Sequence, residues 1–478
     1  MRNLCQFLLF SVILYMQPIS LHADSQLPSI GSSGYSVISP QQEYQLGRAW
    51  VRVLRGSTRL YDDAVVSQYV EDLTWSLVTH SQLSDRRIEV VVLDNPTVNA
   101  FAAPGGIVGV HTGLLITALN EAQLASVLSH ELAHLSQRHF AAQLEEQRRN
   151  QPLFIASLLG SILLAAVDTE AGIAAMQGSM AASTSSRLSF SRQNEREADY
   201  IGMQTLIQAG YSPTEMAEMF AQLQKAARFS RVPPEFLLTH PVTQARISDS
   251  LNRAQNFKGM AQKENTISFD IAKIRIQVNY AKDLKKLLAN YISHLEKYAN
   301  DSTYYAVAYA AIKNKKFEIA RQHMNKFTKA FKTKLSARLL EAEYYIAKEE
   351  LNKADKVLST LMSVYPGSHA VSFIYAKNLL LLNRPDKASR VYQDLVKNNP
   401  NDSRAWYLLA ESYGLEGNIV GVHEARIEYF LLTANIDTAL RQIEYALKEP
   451  GLTNNERARI EQRKEDAKTI RQSLEFDL

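Results

Sequence analysis

The spacing of apolar positions changes along the chain, and each change marks an element. From Gln41 to about Ser81 they recur at helical spacing. Arg87 to Leu93 reads R-I-E-V-V-V-L, a strand by its β-branched content. Val98 to Ala102 predicts a second strand, Pro104-Gly105-Gly106 a turn, and Ile107 to His111 a third strand. The three together predict a short antiparallel sheet. Leu124, Val127, Leu128, Leu132 and Leu135 then share one face of a helix, which Asn120 and Gln123 start as a capping box. Pro152 to Val167 is an apolar stretch. As a helix it spans roughly 24 Å, short of a ~30 Å bilayer core, so it fits either a buried core helix or a segment touching membrane or substrate. Another helix opens near Ser191, Pro233-Pro234 breaks the pattern, and Gln255 to Glu264 is a polar boundary.

From about Asn265 the chain becomes a series of short amphipathic helices with an internal period. Ala308, Ala342, Ala376 and Ala410 are spaced by 34 residues, and Ala320, Ala354 and Ala388 keep the same register. Small residues at fixed points let paired helices approach closely, and stacked pairs share one core. The period breaks after about Ala434, and Glu456 to Leu474 reads as a charged helix that caps the array.

Charge changes this picture little. Lys and Arg number 53 against 49 acids, and no basic block or aromatic-basic groove points to nucleic acid. The N-terminus says more. Arg2 precedes an apolar run from Leu4 to Met16, and Leu21-His22-Ala23 offers a cleavage site, so residues 1–23 read as a signal peptide, with an uncleaved anchor as the alternative. The single cysteine, Cys5, lies inside that run. Cleavage leaves a mature chain without thiols, suited to an oxidising, exported compartment.

The candidate chemistry sits in the helix of residues 124–135. His130-Glu131-Leu132-Ala133-His134 is an H-E-x-x-H motif. At 100° per residue its two histidines stand about 40° apart, one turn along the same face, where both imidazoles reach one zinc ion. Glu131 beside them is placed to take a proton from a water activated by the metal. His139, about 140° round the helix from His134, is not expected to reach the metal. Glu195 and Asp199 are again one turn apart, which suits a third ligand and a carboxylate bonding the free N–H of a ligand histidine. Glu197 points elsewhere. His240-Pro241 and Arg246 follow the Pro233-Pro234 break, where a structural turn is the simpler reading.

Taken together, Asn99-Ala100-Phe101-Ala102 with Pro104-Gly105-Gly106, His130-Glu131-x-x-His134, Asn194-Glu195-x-x-Ala198-Asp199, and His240-Pro241 with Arg246 resemble the M48 family of zinc metalloproteases. The rest resembles tetratricopeptide repeats. The resemblance implies a mainly α, gluzincin-like domain with a small sheet over residues 24–265, then an α-solenoid over 266–478. It implies one zinc per chain on His130, His134 and Glu195, with Asp199 behind them. It places His240 and Arg246 beside the zinc. There they either stabilise the oxyanion, or His240 fills the fourth zinc position as a latch. The edge strand Asn99–Ala102 receives the substrate backbone, although a merely structural hairpin remains open. The implied partners are unfolded or misassembled outer-membrane β-barrel proteins and, through the repeats, their assembly machinery. The implied location is the periplasm, with peripheral membrane contact left open. The competing reading is a chaperone or scaffold that acts through its repeats.

Overall fold

The helix that carries the histidine pair is buried along nearly its whole length, and the other elements pack round it. The computed structural model describes residues 38–148, 191–229, 234–257, 263–331 and 334–474. The expected signal peptide and the apolar stretch 152–167 lie outside these residues. Among the described residues no helix is long and apolar enough to cross a membrane.

The expected helical run from Gln41 is two helices, α1 (Pro40–Ser57) and α2 (Ala64–Val78). Ser39 and Gln42 close a capping box at the first, and Asp63 caps the second by accepting from the amides of Val65 and Val66. Three strands follow: β1 (Glu89–Leu93), β2 (Ala100–Ala103) and β3 (Ile107–His111). The sheet is not wholly antiparallel as expected. Its order is β1-β3-β2, and β1 runs parallel to β3 while β2 runs antiparallel to it. The turn at 104–106 closes the β2–β3 hairpin, and β1 pairs with β3, so β3 sits in the centre and β2 is an edge.

Then come α3 (Thr112–Thr117), α4 (Glu121–Ser136) and α5 (His139–Arg148). Asn120 caps α4 through the Gln123 amide, but the Gln123 side chain accepts from Leu119 rather than completing a capping box. Beyond the undescribed stretch lie α6 (Arg192–Gln208), α7 (Thr214–Phe229), the single turn α8 (Phe236–Thr239) and α9 (Gln244–Ala254). Helix α6 lies against α4 with no room to spare. A Cβ on Gly202 would come within 3.0 Å of the His130 backbone. That close approach brings the acidic face of α6 under the histidines.

The repeat part is built of antiparallel pairs: α12 (Asp301–Lys313) with α13 (Phe317–Phe331), α14 (Leu335–Ala347) with α15 (Leu351–Val364), α16 (His369–Leu381) with α17 (Pro385–Asn398), and α18 (Ser403–Glu416) with α19 (Ile419–Leu432). All seven alanines of the 34-residue register are buried in it. The period does not break at Ala434. A further pair, α20 (Ile436–Ala446) and α21 (Asn454–Leu474), starts in register. Glu444 stands where the small-residue marker would recur, which hides the fifth pair from a sequence count.

Two helices precede the pairs, α10 (Ile267–Tyr280) and α11 (Leu284–Lys297). The boundary expected near residue 265 falls just ahead of a helix shared by both parts. Phe269, Ala272 and Ile276 of α10 belong to the core around α4, while Ile271, Ile274 and Val278 belong to the first repeat core. Arg275 of α10 is 4% exposed and ties the parts together. It donates to Asp63, the cap of α2, at 2.8 Å, and to both oxygens of Glu343 on α14 at 2.7 and 2.8 Å.

Candidate metal centre

Four buried side chains from three elements converge. His130 and His134 come from α4, Glu195 from the first turn of α6, and His240 from the residue that ends α8. One ligand atom from each lies within 4.8 Å of all the others. A tetrahedral zinc with bonds of 2.0–2.1 Å sets its ligand atoms about 3.3 Å apart. Here His130 Nε2 lies 3.1 Å from His134 Nε2 and 3.5 Å from His240 Nδ1. Glu195 Oε1 lies 3.5 Å from His134 Nε2 and 2.9 Å from His240 Nδ1. Three imidazoles and one carboxylate at these separations fit a divalent ion of zinc's size.

Charge is organised to match. Burial opposes charge on His130, yet the Asp199 and Glu195 carboxylates beside it hold its pKa up at about 9. Burial opposes the charge on Glu195 as well, but His240 and hydrogen bonds from three histidines keep it ionised, well below the usual carboxylate range. His134 is pushed well down by burial. A site that keeps carboxylates ionised and crowds three imidazoles together attracts a cation.

Asp199 lies where spacing on the helix put it. Its Oδ1 is 3.0 Å from His130 Nδ1, the nitrogen that faces away from the cluster. Arg246, on α9, does not stand free beside the site. It donates to both oxygens of Asp199 at 2.7 Å and to the Pro241 carbonyl at 2.9 Å, and its Nη1 forms an ion pair with Glu195 Oε2 at 2.6 Å.

Glu131 is wholly buried. Burial raises its pKa, against the pull of His240, His130 and the Ala102 amide. Its Oε1 faces His240 Nε2 at 3.5 Å. His240 thus fills the fourth corner of the cluster with Nδ1 and faces the acid with Nε2. The segment bearing His240 is tied to the loop before β2. Phe236 stacks on the His240 ring, its amide donates to the Val98 carbonyl at 3.2 Å, and Thr97 donates to Glu235 at 3.1 Å.

On the edge strand, the Asn99 carbonyl accepts from the His111 amide, which makes residues 99 and 111 a hydrogen-bonded pair. Alternation then leaves the backbone groups of Ala100 and Ala102 directed to the free edge, beside Glu131. The Phe101 ring takes no part in that edge. It lies across Gly109, where an added Cβ would come 2.1 Å from it, and packs edge-on against Trp50.

Two residues set aside on helical projection are brought in. Arg138 has φ 52°, which ends α4, and α5 sets off in a new direction. His139 therefore packs against His134, and Glu197 meets His139 at 3.3 Å. Neither Gln137 nor Arg138 is a helix breaker, so no local signal marked the kink. Nothing in the spacing of Glu235 links it to the motifs.

A histidine pair one turn apart, a glutamate from a second helix, and a buried acid between them and an edge strand define a metalloprotease. A Peptidase family M48 model matches residues 64–254, and a tetratricopeptide-repeat model matches 345–411. The beta-barrel assembly-enhancing protease of Escherichia coli (strain K12) is 32% identical over 472 residues, covering 97% of this chain and 95% of that protein. The protein of the same name from Yersinia pestis is 30% identical, covering 95% and 96%. The mitochondrial metalloendopeptidase OMA1 of Saccharomyces cerevisiae is 34% identical over 179 residues, 36% of this chain and 48% of that one. The chain belongs to peptidase family M48.

Proposed function

We propose that this metalloprotease is an exported zinc endopeptidase that degrades misassembled outer-membrane β-barrel proteins and assists their assembly. The names of its Escherichia coli and Yersinia relatives motivate the substrate class. The observation that carries the chemistry is the convergence of one ligand atom each from His130, His134, Glu195 and His240 within 4.8 Å, four of the pairs between 2.9 and 3.5 Å apart, with Glu131 alongside. A bound zinc supplies a Lewis acid that polarises the attacking water and the scissile carbonyl. Glu131 takes the proton from that water and passes it to the leaving amine. Its raised pKa suits both halves of that transfer. The edge-facing backbone groups of Ala100 and Ala102 hold the substrate backbone in an extended form without reading its sequence.

His240 at the fourth corner favours the latch. A zinc with four protein ligands behaves as a closed, structural site, and His240 also occupies the face of Glu131 that water would use. The enzyme then rests latent in the periplasm until the segment of residues 234–240 moves. The repeats dock substrate or assembly machinery. A cavity of about 530 Å³ among α17, α18, α19 and α21, lined by Trp406, Tyr413, Arg459 and Arg463, supports such docking. The chaperone reading keeps a specific footing in the size of this repeat array. One variant separates the two. Glu131→Gln in the full-length chain should retain zinc and lose degradation of a misassembled β-barrel substrate. Degradation at the wild-type rate would remove Glu131 from the mechanism, and retained assistance with barrel assembly would establish the chaperone role as well.

A further inference from the structure

We infer that His139 and Glu197 are positioning residues for the metal centre, a two-membered support that holds the His134 ring from behind; the inference rests on His134 being a metal ligand. The kink at Arg138 is what makes it possible. A continuous helix would carry His139 about 140° away from His134. Instead the two rings meet edge to face with centroids 4.9 Å apart. The kink is pinned from outside the helix. The Arg138 guanidinium donates to Glu43 at 3.0 Å and to the Ile38 carbonyl at 2.8 Å, both at the α1 end of the chain.

A metal held by His134 Nε2 would fix the direction of each hydrogen bond. His134 turns Nε2 toward the cluster, so its proton sits on Nδ1. That nitrogen is 3.0 Å from His139 Nδ1, which must accept. His139 then carries its own proton on Nε2, 3.3 Å from Glu197 Oε2. The Glu197 charge then acts through His139 to orient and strengthen the His134 donor nitrogen. His139 is 4% exposed, so water does not compete for Nδ1.

The arrangement also accounts for the acidic spacing of α6. Glu195 faces the ion, Asp199 supports His130 directly, and Glu197, between them in sequence, supports His134 through one intervening ring. The alternative is that His139 is only an aromatic packed against His134.

The experiment measures zinc affinity of the full-length protein by chelator competition, together with the thermal stability of the zinc-free form. His139→Phe keeps the ring and removes the acceptor; it should weaken zinc by about 10- to 100-fold with little change in zinc-free stability. Glu197→Gln, on an exposed side chain, should weaken zinc by a smaller factor. The double variant should be no weaker than His139→Phe alone, because the two act in series. Wild-type affinity in His139→Phe, or independent multiplicative losses in the double variant, overturns the inference. A His134→Ala control separates the cases. If it too binds zinc at wild-type strength, the ligand assignment itself has failed.

Discussion

Arg246 grips Asp199 with two parallel hydrogen bonds of 2.7 Å, from Nε to Oδ2 and from Nη2 to Oδ1. Both side chains are buried, so the pair must be complete to be tolerated. Through Asp199 the guanidinium bears on the ring of His130, and through its ion pair with Glu195 Oε2 it restrains a second member of the four-residue cluster. Arg246 is thus placed to brace the cluster, its guanidinium engaged by Asp199, Glu195 and the Pro241 carbonyl.

Arg246→Ala strands two buried carboxylates and should cost about 3 kcal/mol or more of stability. Arg246→Lys keeps the charge but loses the fork, and should fall between Ala and wild type. Urea unfolding of the metal-free protein measures both; an Ala variant as stable as wild type would show that the brace is idle.

His240→Ala opens the fourth corner and clears the approach to Glu131. Basal cleavage of an unfolded protein such as casein should rise while zinc content stays at one per chain. Reduced turnover with full zinc and unchanged folding would return His240 to the role of oxyanion stabiliser.

Glu235 predicts a pH effect. Burial raises its pKa to about 7, partly offset by hydrogen bonds from Thr97 and Asn99. A carboxyl whose folded pKa is raised stabilises the fold fully below its unfolded value. That contribution is lost as pH rises from about 4.5 through about 7. Glu235→Gln never ionises. Its melting temperature should therefore match wild type near pH 5 and exceed it at pH 8, by an amount on the order of 3 kcal/mol of stability. A wild-type pH profile in the Gln variant would refute the assignment.

The repeat turns predict a backbone effect. Lys315, Glu349, Asn383, Gly417 and Gly451 are spaced by 34 residues, and all have positive φ, at 56°, 62°, 55°, 81° and 84°. Left-handed backbone costs an ordinary residue roughly 1–2 kcal/mol, part of which glycine returns as lost chain entropy. Glu349 is exposed, so Glu349→Gly should raise stability by up to about 1 kcal/mol, and Gly417→Ala should lower it by about as much. Thermal unfolding of the two variants gives both signs.

What the sequence determined by itself follows from regular local geometry. A helix repeats every 3.6 residues, so His130 with His134 and Glu195 with Asp199 had to share faces wherever those helices lay. The 34-residue register of alanines likewise announced paired helices, because only small residues fit at repeated close approaches. Tertiary packing decided the rest. His139 joined the site because contacts from Glu43 and Ile38 hold a left-handed Arg138, which no neighbouring residue demands. Strand β1 runs parallel because it pairs with β3, the second strand of the hairpin, rather than with β2. The fifth helix pair persists without its alanine marker, since Ile436, Ala439 and Ile443 still fill its core. Arg246 became a brace, and α10 a shared helix, through partners more than forty residues away in sequence. Periodicity encodes a face; only the folded chain supplies what that face meets.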